Sequence, residues 1–200
     1  MASKDIFADP RYPDFVERYH ADPLRFAVEV TGLMPSFDQA RLFRAIMTKD
    51  AKVSVVSGTG TGKTFAFARI ALWHLLCFPL ANYEGKFEIG SNTYIGAPMI
   101  QQVGDGIWKE MNDTRLQIAN GPHAWLLDYF EIKKTRVEMK GYSDQWFITQ
   151  IAMKKGESVG IAGKHRYWQL VIVDEAAGVP DEHFKVINGT QTQPGNRTLL

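Results

Sequence analysis

A glycine-rich loop, Ser57-Gly-Thr-Gly-Thr-Gly-Lys-Thr64, constrains the fold of this chain more than any other feature. It lies between a short β-branched run, Val53–Val56, and a stretch from Lys63 to Leu76 that is apolar on nearly all sides. Backbone N–H groups that surround a phosphate need glycines, which adopt positive φ freely. A loop between a strand and a helix N-terminus favours anion binding further. The sequence therefore predicts a nucleotide phosphate site.

Two side chains at the end of the loop complete the predicted site. The Lys63 ammonium is expected to contact the β- and γ-phosphates and to support catalysis, and the Thr64 hydroxyl is expected to bind Mg²⁺. The usual pattern, G-x-x-x-x-G-K-S/T, has glycine where this chain has Ser57, but Gly62-Lys63-Thr64 is intact. The loop residues predicted to bind ATP are Ser57, Gly58, Thr59, Gly60, Thr61, Gly62, Lys63 and Thr64.

An acidic pair follows the continuous apolar run Leu170–Val173. Such a run is typical of a strand buried on both faces of a parallel sheet. Ligands bind at the carboxyl ends of strands in open α/β sheets, which is where Asp174 and Glu175 would lie. We expect Asp174 to hold Mg²⁺ through its water shell. We expect Glu175 to orient and polarise the water that attacks the γ-phosphate.

The remaining pattern predicts an α/β, doubly wound and mainly parallel sheet. A second strand is predicted at Thr93–Ala97, and a helix from Met99 to Met111. A polar loop is predicted between Pro79 and Asn92. The alternation between Tyr129 and Met153 predicts a small antiparallel attachment.

Two parts of the chain differ in character. Residues 1–49 are predicted to be an N-terminal helical segment packed on the ATPase core, which is predicted to span residues 50–200. In the first part, prolines separate the helices, and the third helix is expected from Asp38 to Met47 with Ser36 as its N-cap. The last residues, from Arg197 to Leu200, resemble the start of another strand, so we expect a C-terminally truncated piece of a longer protein.

Composition excludes several classes of protein. With 200 residues, 45% of them hydrophobic, the chain can build one sizeable core. Its formal net charge of +1 lacks the basic excess of a dedicated nucleic-acid binder. The single cysteine, Cys77, excludes an intrachain disulfide and a thiolate zinc site. No signal-peptide pattern or membrane-length apolar run is present, so we expect a cytoplasmic protein.

A candidate adenine-binding motif precedes the loop. A glutamine amide such as that of Gln39 can pair with adenine through one donor and one acceptor, and Phe37 can stack on the ring. These are the predicted base-binding residues. Both also fit an ordinary helix glutamine and a core phenylalanine.

The residues leave two other questions open. The loop contains no arginine to stabilise the transition state, and Arg69, Arg136, Arg166, Arg197 or a neighbouring subunit are the candidates. The same site would also serve a helicase-like DNA translocase, or a helicase loader in which hydrolysis acts as a switch.

Taken in order, four segments resemble the ATPase domain of the large terminase subunit of tailed bacteriophages. They are Pro35-x-Phe37-x-Gln39, the altered phosphate loop, Ala97-Pro98-Met99-Ile100-Gln101-Gln102 and Val173-Asp174-Glu175-Ala176-Ala177-Gly178-Val179-Pro180. Met99 stands where that family usually has threonine. The resemblance covers most of the chain from about Leu24 onward, and it gives Gln102 a role in coupling or sensing.

This resemblance implies further properties. The fold would be a RecA-like P-loop NTPase of the additional-strand, catalytic-glutamate type, with ATP and Mg²⁺ as cofactors. The domain would drive double-stranded DNA into a procapsid in the bacterial host cytoplasm, gripping it without sequence preference. Its partners would be the portal protein, the small terminase subunit and further copies in a ring. A nuclease domain would lie in a C-terminal part beyond these residues.

Overall fold

A computed structural model of the chain describes residues 5–56, 62–156 and 160–200. These residues form a seven-stranded sheet, a two-stranded sheet and surrounding helices, which confirms the predicted α/β class. The helices are α1 (Tyr12–Tyr19), α2 (Pro23–Glu29), α3 (Phe37–Ala45), α4 (Lys63–Cys77), α5 (Ile100–Val103), α6 (Lys109–Ala119) and α7 (Asp181–Thr190). The strands are β1 (Lys52–Val53), β2 (Leu80–Tyr83), β3 (Lys86–Ile89), β4 (Asn92–Ala97), β5 (Phe130–Ile132), β6 (Arg136–Met139), β7 (Phe147–Ala152), β8 (Gln169–Val173) and β9 (Arg197–Leu199).

The N-terminal helices begin where the sequence places their caps. Proline lies in the first turn of α1 and α2, where its missing N–H costs nothing. Ser36 caps α3 as predicted: its hydroxyl accepts from the Gln39 N–H, and the Gln39 side chain accepts from the Ser36 N–H. This reciprocal capping box fixes the start of α3 and the position of Gln39.

Helix α4 forms the centre of the larger core. From Ala66 to Cys77 every residue is buried, as the apolar stretch predicted. One side of α4 packs on α1, α2, α3 and α6, and another on the sheet. A helix buried on all sides is held in place firmly, so the loop at its N-terminus has a fixed base.

The large sheet has the order β1-β9-β8-β4-β7-β6-β5, and the pairs from β1 to β7 are parallel. Alternate residues of β8 belong to different cores: Leu170 and Ile172 face the α4 side, whereas Val171 and Val173 face the α7 side. Helices therefore cover both faces, as expected for a doubly wound sheet. Strand β9 lies between β1 and β8, which is the additional strand that the resemblance implied.

The segment predicted as an antiparallel attachment is part of the large sheet. Strands β5 and β6 pair antiparallel, and β6 pairs antiparallel with β7. However, β7 itself pairs in parallel with β4 over six residues, from Asn92↔Phe147 to Ala97↔Ala152. The prediction was right about the antiparallel strands and wrong about their separateness.

The predicted loop between Pro79 and Asn92 is a β-hairpin instead. Strands β2 and β3 pair in register from Leu80↔Ile89 to Tyr83↔Lys86. The two turn residues, Glu84 and Gly85, both have positive φ, at 48° and 72°. A two-residue turn of this kind matches the twist of the strands, although glutamate is an unusual residue for it.

The predicted helix from Met99 continues to Ala119. Between α5 and α6 its backbone forms a π-helical segment, Gly104–Trp108, so the helix carries a local expansion in mid-course. Short 3₁₀ turns occur at Ile6–Ala8, Ala124–Asp128 and Ala176–Gly178. Across the three described ranges, no helix is long and apolar enough to span a membrane.

Candidate nucleotide-binding site

The described end of the phosphate loop has the geometry that phosphate binding needs. Gly62 adopts a left-handed conformation, φ 76° and ψ 25°, and caps the N-terminus of α4. Lys63 and Thr64 follow in the first turn, where free backbone N–H groups and the helix dipole favour an anion. The predicted contacts of Ser57, Gly58, Thr59, Gly60 and Thr61 lie outside the described residues.

The acidic pair lies at the carboxyl end of β8, as predicted. The Asp174 N–H donates to the Gly96 carbonyl of β4 at 2.8 Å, so the sheet ladder continues up to this residue. Burial, together with the charge of Glu175, raises the pKa of Asp174, while Lys63 opposes the shift. A divalent cation would favour the ionised carboxylate and oppose this shift.

Glu175 has an unusual backbone conformation. Its φ is 55°, in the left-handed region, and its N–H donates to the Asp174 Oδ1 at 3.1 Å. The side chain is exposed toward the same cavity that Asp174 borders. A non-glycine residue held at positive φ is strained, and such strain is concentrated at functional sites.

The structure brings Thr64 and Asp174 together. A Cβ placed on Gly106, in the π-helical segment, would lie 3.3 Å from the Thr64 Cγ2 and 4.0 Å from the Asp174 Oδ2. Both predicted metal ligands therefore lie within about 4 Å of one point. A hydroxyl and a carboxylate suit Mg²⁺, which retains several waters and takes its other ligands from phosphate oxygens. In the described part, no group of three or more His, Cys, Asp or Glu is arranged to hold a metal alone.

Two adjoining cavities surround these groups. The larger, of about 890 Å³, is bordered by both parts of the predicted site and by the helix that contains the π-helical segment. Its charged or hydroxyl-bearing lining residues include Lys63, Thr64, Asp105, Lys109, Glu110, Asp174 and Glu175. The smaller, of about 410 Å³, shares Lys63 with it and extends toward α3. A long ligand such as a nucleoside triphosphate can occupy both.

Sequence reasoning missed the contribution of the helix from Ile100 to Ala119. Asp105, Gly106, Lys109 and Glu110 all border the larger cavity. The available signal was the pair of glycines, Gly104 and Gly106, inside an otherwise amphipathic helix, because glycine there often permits a close approach.

The predicted adenine-binding residues divide. Gln39 borders the smaller cavity, but its amide is engaged: Nε2 donates to the Gly62 carbonyl at 3.1 Å, and Oε1 accepts from Ser36. Phe37 is 77% exposed and is not among the described residues that line the cavity. The Arg41 guanidinium lies 6.0 Å from its ring centroid. Base recognition by Gln39 and Phe37 stays a prediction.

Gln102, predicted to act in coupling, caps α5. Its Oε1 accepts from the Met99 N–H at 3.1 Å. It is not among the described lining residues of either cavity. The coupling role stays a prediction.

The four arginine candidates for transition-state stabilisation all have other contacts. Arg69 is buried and donates to the Thr31 hydroxyl, the Phe65 carbonyl and the Gln117 side chain. None of the four is among the described residues that border the cavities.

The other three candidates are similarly engaged. Burial lowers the pKa of Arg197 to about 10, and this guanidinium donates to the Ile46 and Gly195 carbonyls. Arg136 stacks over the Phe147 ring at 3.8 Å, and Arg166 pairs with Glu88 at 3.4 Å. Their side chains support the fold away from the predicted phosphate position.

Comparison with known proteins places this site in context. No family model matches the chain. The probable terminase large subunit of Enterobacteria phage P7 is 30% identical over 198 residues, which are 99% of this chain and 38% of that protein. The chain thus spans well under half the length of this curated relative.

Solved structures share the fold. A mutant ATPase domain of the Thermus phage P74-26 large terminase superposes with a TM-score of 0.60 and 17% identity, over 89% of this chain and 69% of that one. The large terminase of a second thermophilic bacteriophage gives 0.52 and 14%, over 77% and 34%. The complex of that second terminase with ADP gives 0.52 and 13%, over 76% and 33%.

Proposed function

This chain is a relative of the phage large terminase subunits with the fold of their ATPase domains, and from that premise we propose that it binds Mg·ATP and hydrolyses it. One observation carries the proposal. Lys63, Thr64, Asp174 and Glu175 come from two distant parts of the sequence and border the same cavity at the carboxyl end of the sheet. The large terminase solved in complex with ADP, which shares this fold, supports a nucleotide ligand.

Each residue has one task in the proposed mechanism. Lys63 holds the β- and γ-phosphates, while Thr64 and Asp174 hold Mg²⁺, which supplies charge neutralisation when bound. Glu175 orients a water and accepts its proton as the water attacks the γ-phosphorus. These groups act mainly by position and charge, because phosphoryl transfer needs little covalent participation from the protein.

Hydrolysis would serve DNA packaging. We propose that the domain is the motor part of a large terminase, which moves double-stranded DNA into a procapsid in the host cytoplasm. The portal protein, the small terminase subunit and further copies in a ring would be its partners. A helicase-like translocase or a helicase loader would use the same site. The P7 relative favours the packaging role.

Glu175→Gln tests hydrolysis directly. We expect nucleotide affinity to persist and steady-state turnover to fall by about 10²-fold or more, since general base catalysis is lost. The matched control is Glu17→Gln, because Glu17 is exposed on α1, away from the cavities. Turnover in Glu175→Gln equal to that of the control would refute the assignment of the base.

A further inference from the structure

The helix from Ile100 to Ala119 presents charged residues to the phosphate cavity. Asp105, Gly106, Lys109 and Glu110 border this cavity together with the phosphate-loop lysine, Lys63. Their spacing of four and five residues places them on one face of a helix widened by a π-helical turn. Such turns occur frequently at functional sites.

The backbone of this helix is very close to the predicted metal site. At Gly106, a Cβ would approach the Thr64 Cγ2 to 3.3 Å, which is tight for a carbon–carbon contact. Lys109 begins α6, three residues after Gly106. Its long side chain therefore starts about one helical turn from the point that Thr64 and Asp174 share.

Charge distinguishes Lys109 from its neighbours. Among the described residues bordering the larger cavity, only Lys63 and Lys109 are cationic, against four carboxylates. Lys109 is exposed, and within the described ranges its ammonium makes no ion pair, although Asp105 is four residues earlier. It is thus available to an anionic ligand, whereas the four arginine candidates are held elsewhere.

We propose that Lys109 is a second cation, in cis, for the γ-phosphate of ATP. This inference rests on the proposed ATPase function. In the reaction, the water oxygen forms a bond to the γ-phosphorus, its proton passes to Glu175, and the bond to the β–γ bridging oxygen breaks with its electrons leaving on ADP. Lys109 stabilises the negative charge on the γ-phosphoryl oxygens as this exchange proceeds. Its effect falls on the transition state more than on bound ADP.

Lys109→Met tests the inference, because methionine keeps much of the side-chain length and removes the charge. We expect kcat to fall by about 10²-fold, with KM for ATP changing less than threefold. Lys109→Arg keeps the charge and should recover at least a tenth of wild-type kcat. The matched control is Lys134→Met, since Lys134 is exposed between β5 and β6 and is not among the described cavity-lining residues.

A binding measurement separates this inference from the proposed function. Isothermal titration would compare ADP alone with ADP plus aluminium fluoride, which mimics the transferring phosphoryl group, both with Mg²⁺. Aluminium fluoride should tighten binding at least tenfold in the wild type and in Lys134→Met, and less than threefold in Lys109→Met.

Two results would count against the inference in different ways. Equal tightening in the wild type and Lys109→Met would overturn it while leaving the ATPase proposal intact. A wild-type chain that binds neither ADP nor ATP would overturn both. The melting temperature of each variant should match the wild type, because Lys109 is exposed and makes no described ion pair.

Discussion

Gln39 connects the helix before the phosphate loop to the loop itself, and two substitutions separate its contacts. In the wild type, Oε1 accepts from the Ser36 N–H at 2.9 Å, and Nε2 donates to the Gly62 carbonyl at 3.1 Å. Gln39→Glu keeps an acceptor for Ser36 but has no donor for Gly62. Gln39→Ala removes both hydrogen bonds. A comparison of the two variants therefore isolates the contact with the loop.

The magnitudes follow from ordinary hydrogen-bond energies. The loss of one neutral bond costs about 1 kcal/mol, so Gln39→Glu should lower the free energy of unfolding by about that amount. Gln39→Ala also loses half of the capping box and should cost about 2 kcal/mol. Because both variants release Gly62, both should bind nucleotide about fivefold more weakly, which corresponds to about 1 kcal/mol.

The assay compares ATP with GTP by isothermal titration, and stability by urea unfolding. A contact that acts through the loop weakens both nucleotides equally, since it affects the phosphates. Loss of ATP affinity with GTP affinity unchanged would instead support the predicted adenine recognition by Gln39. Wild-type affinities for both nucleotides in both variants would refute the reasoning about the loop contact.

Three further changes test the fold and the metal site. Gly90→Ala should lower the free energy of unfolding by about 3 kcal/mol, measured in urea, because φ is 76° and the new Cβ would lie 2.2 Å from the Cγ of buried Trp146. Burial raises the pKa of Glu29, but hydrogen bonds from two arginines and a tyrosine outweigh it and lower the pKa to about 2; this stability is present above the ordinary pKa near 4.5 and is lost as pH falls toward 2, so acid unfolding of Glu29→Gln should lack that component. Gly106→Ala should weaken Mg²⁺-dependent ATP affinity severalfold with little change in melting temperature, because its methyl crowds Thr64 at 3.3 Å while alanine favours the helix; unchanged Mg²⁺ dependence would contradict this placement.

The elements that sequence predicted well are those in which local and tertiary preferences agree. Helix α4 is apolar on all sides because it is buried on all sides, and β8 is a continuous apolar run because both its faces are covered. Ser36 and Gln39 form a local capping box whose spacing is visible in the sequence.

The elements that were missed depend on contacts that local patterns do not encode. The β2–β3 hairpin turns at Glu84-Gly85, and glutamate gives no signal for positive φ. Strand β7 pairs in parallel with β4 across a separation of more than fifty residues, which the alternating pattern cannot distinguish from antiparallel pairing.

The candidate site was partly predictable for the same reason. Motif spacing indicated Lys63, Thr64, Asp174 and Glu175, because each motif is short and its residues are adjacent. Lys109 has no such motif, and only the folded helix brings it to the cavity. The left-handed backbone of Glu175 is likewise set by the sheet end and the turn that follows it.

The most direct test of the central claim is a titration of a fluorescent ATP analogue into the wild type, Lys63→Ala and Lys134→Ala, each with Mg²⁺ and with EDTA. The account predicts Mg²⁺-dependent saturable binding in the wild type and Lys134→Ala, and at least a 50-fold weaker affinity, about 2.3 kcal/mol, in Lys63→Ala. Wild-type affinity in Lys63→Ala would contradict the claim that Lys63 and its neighbours form the ATP site.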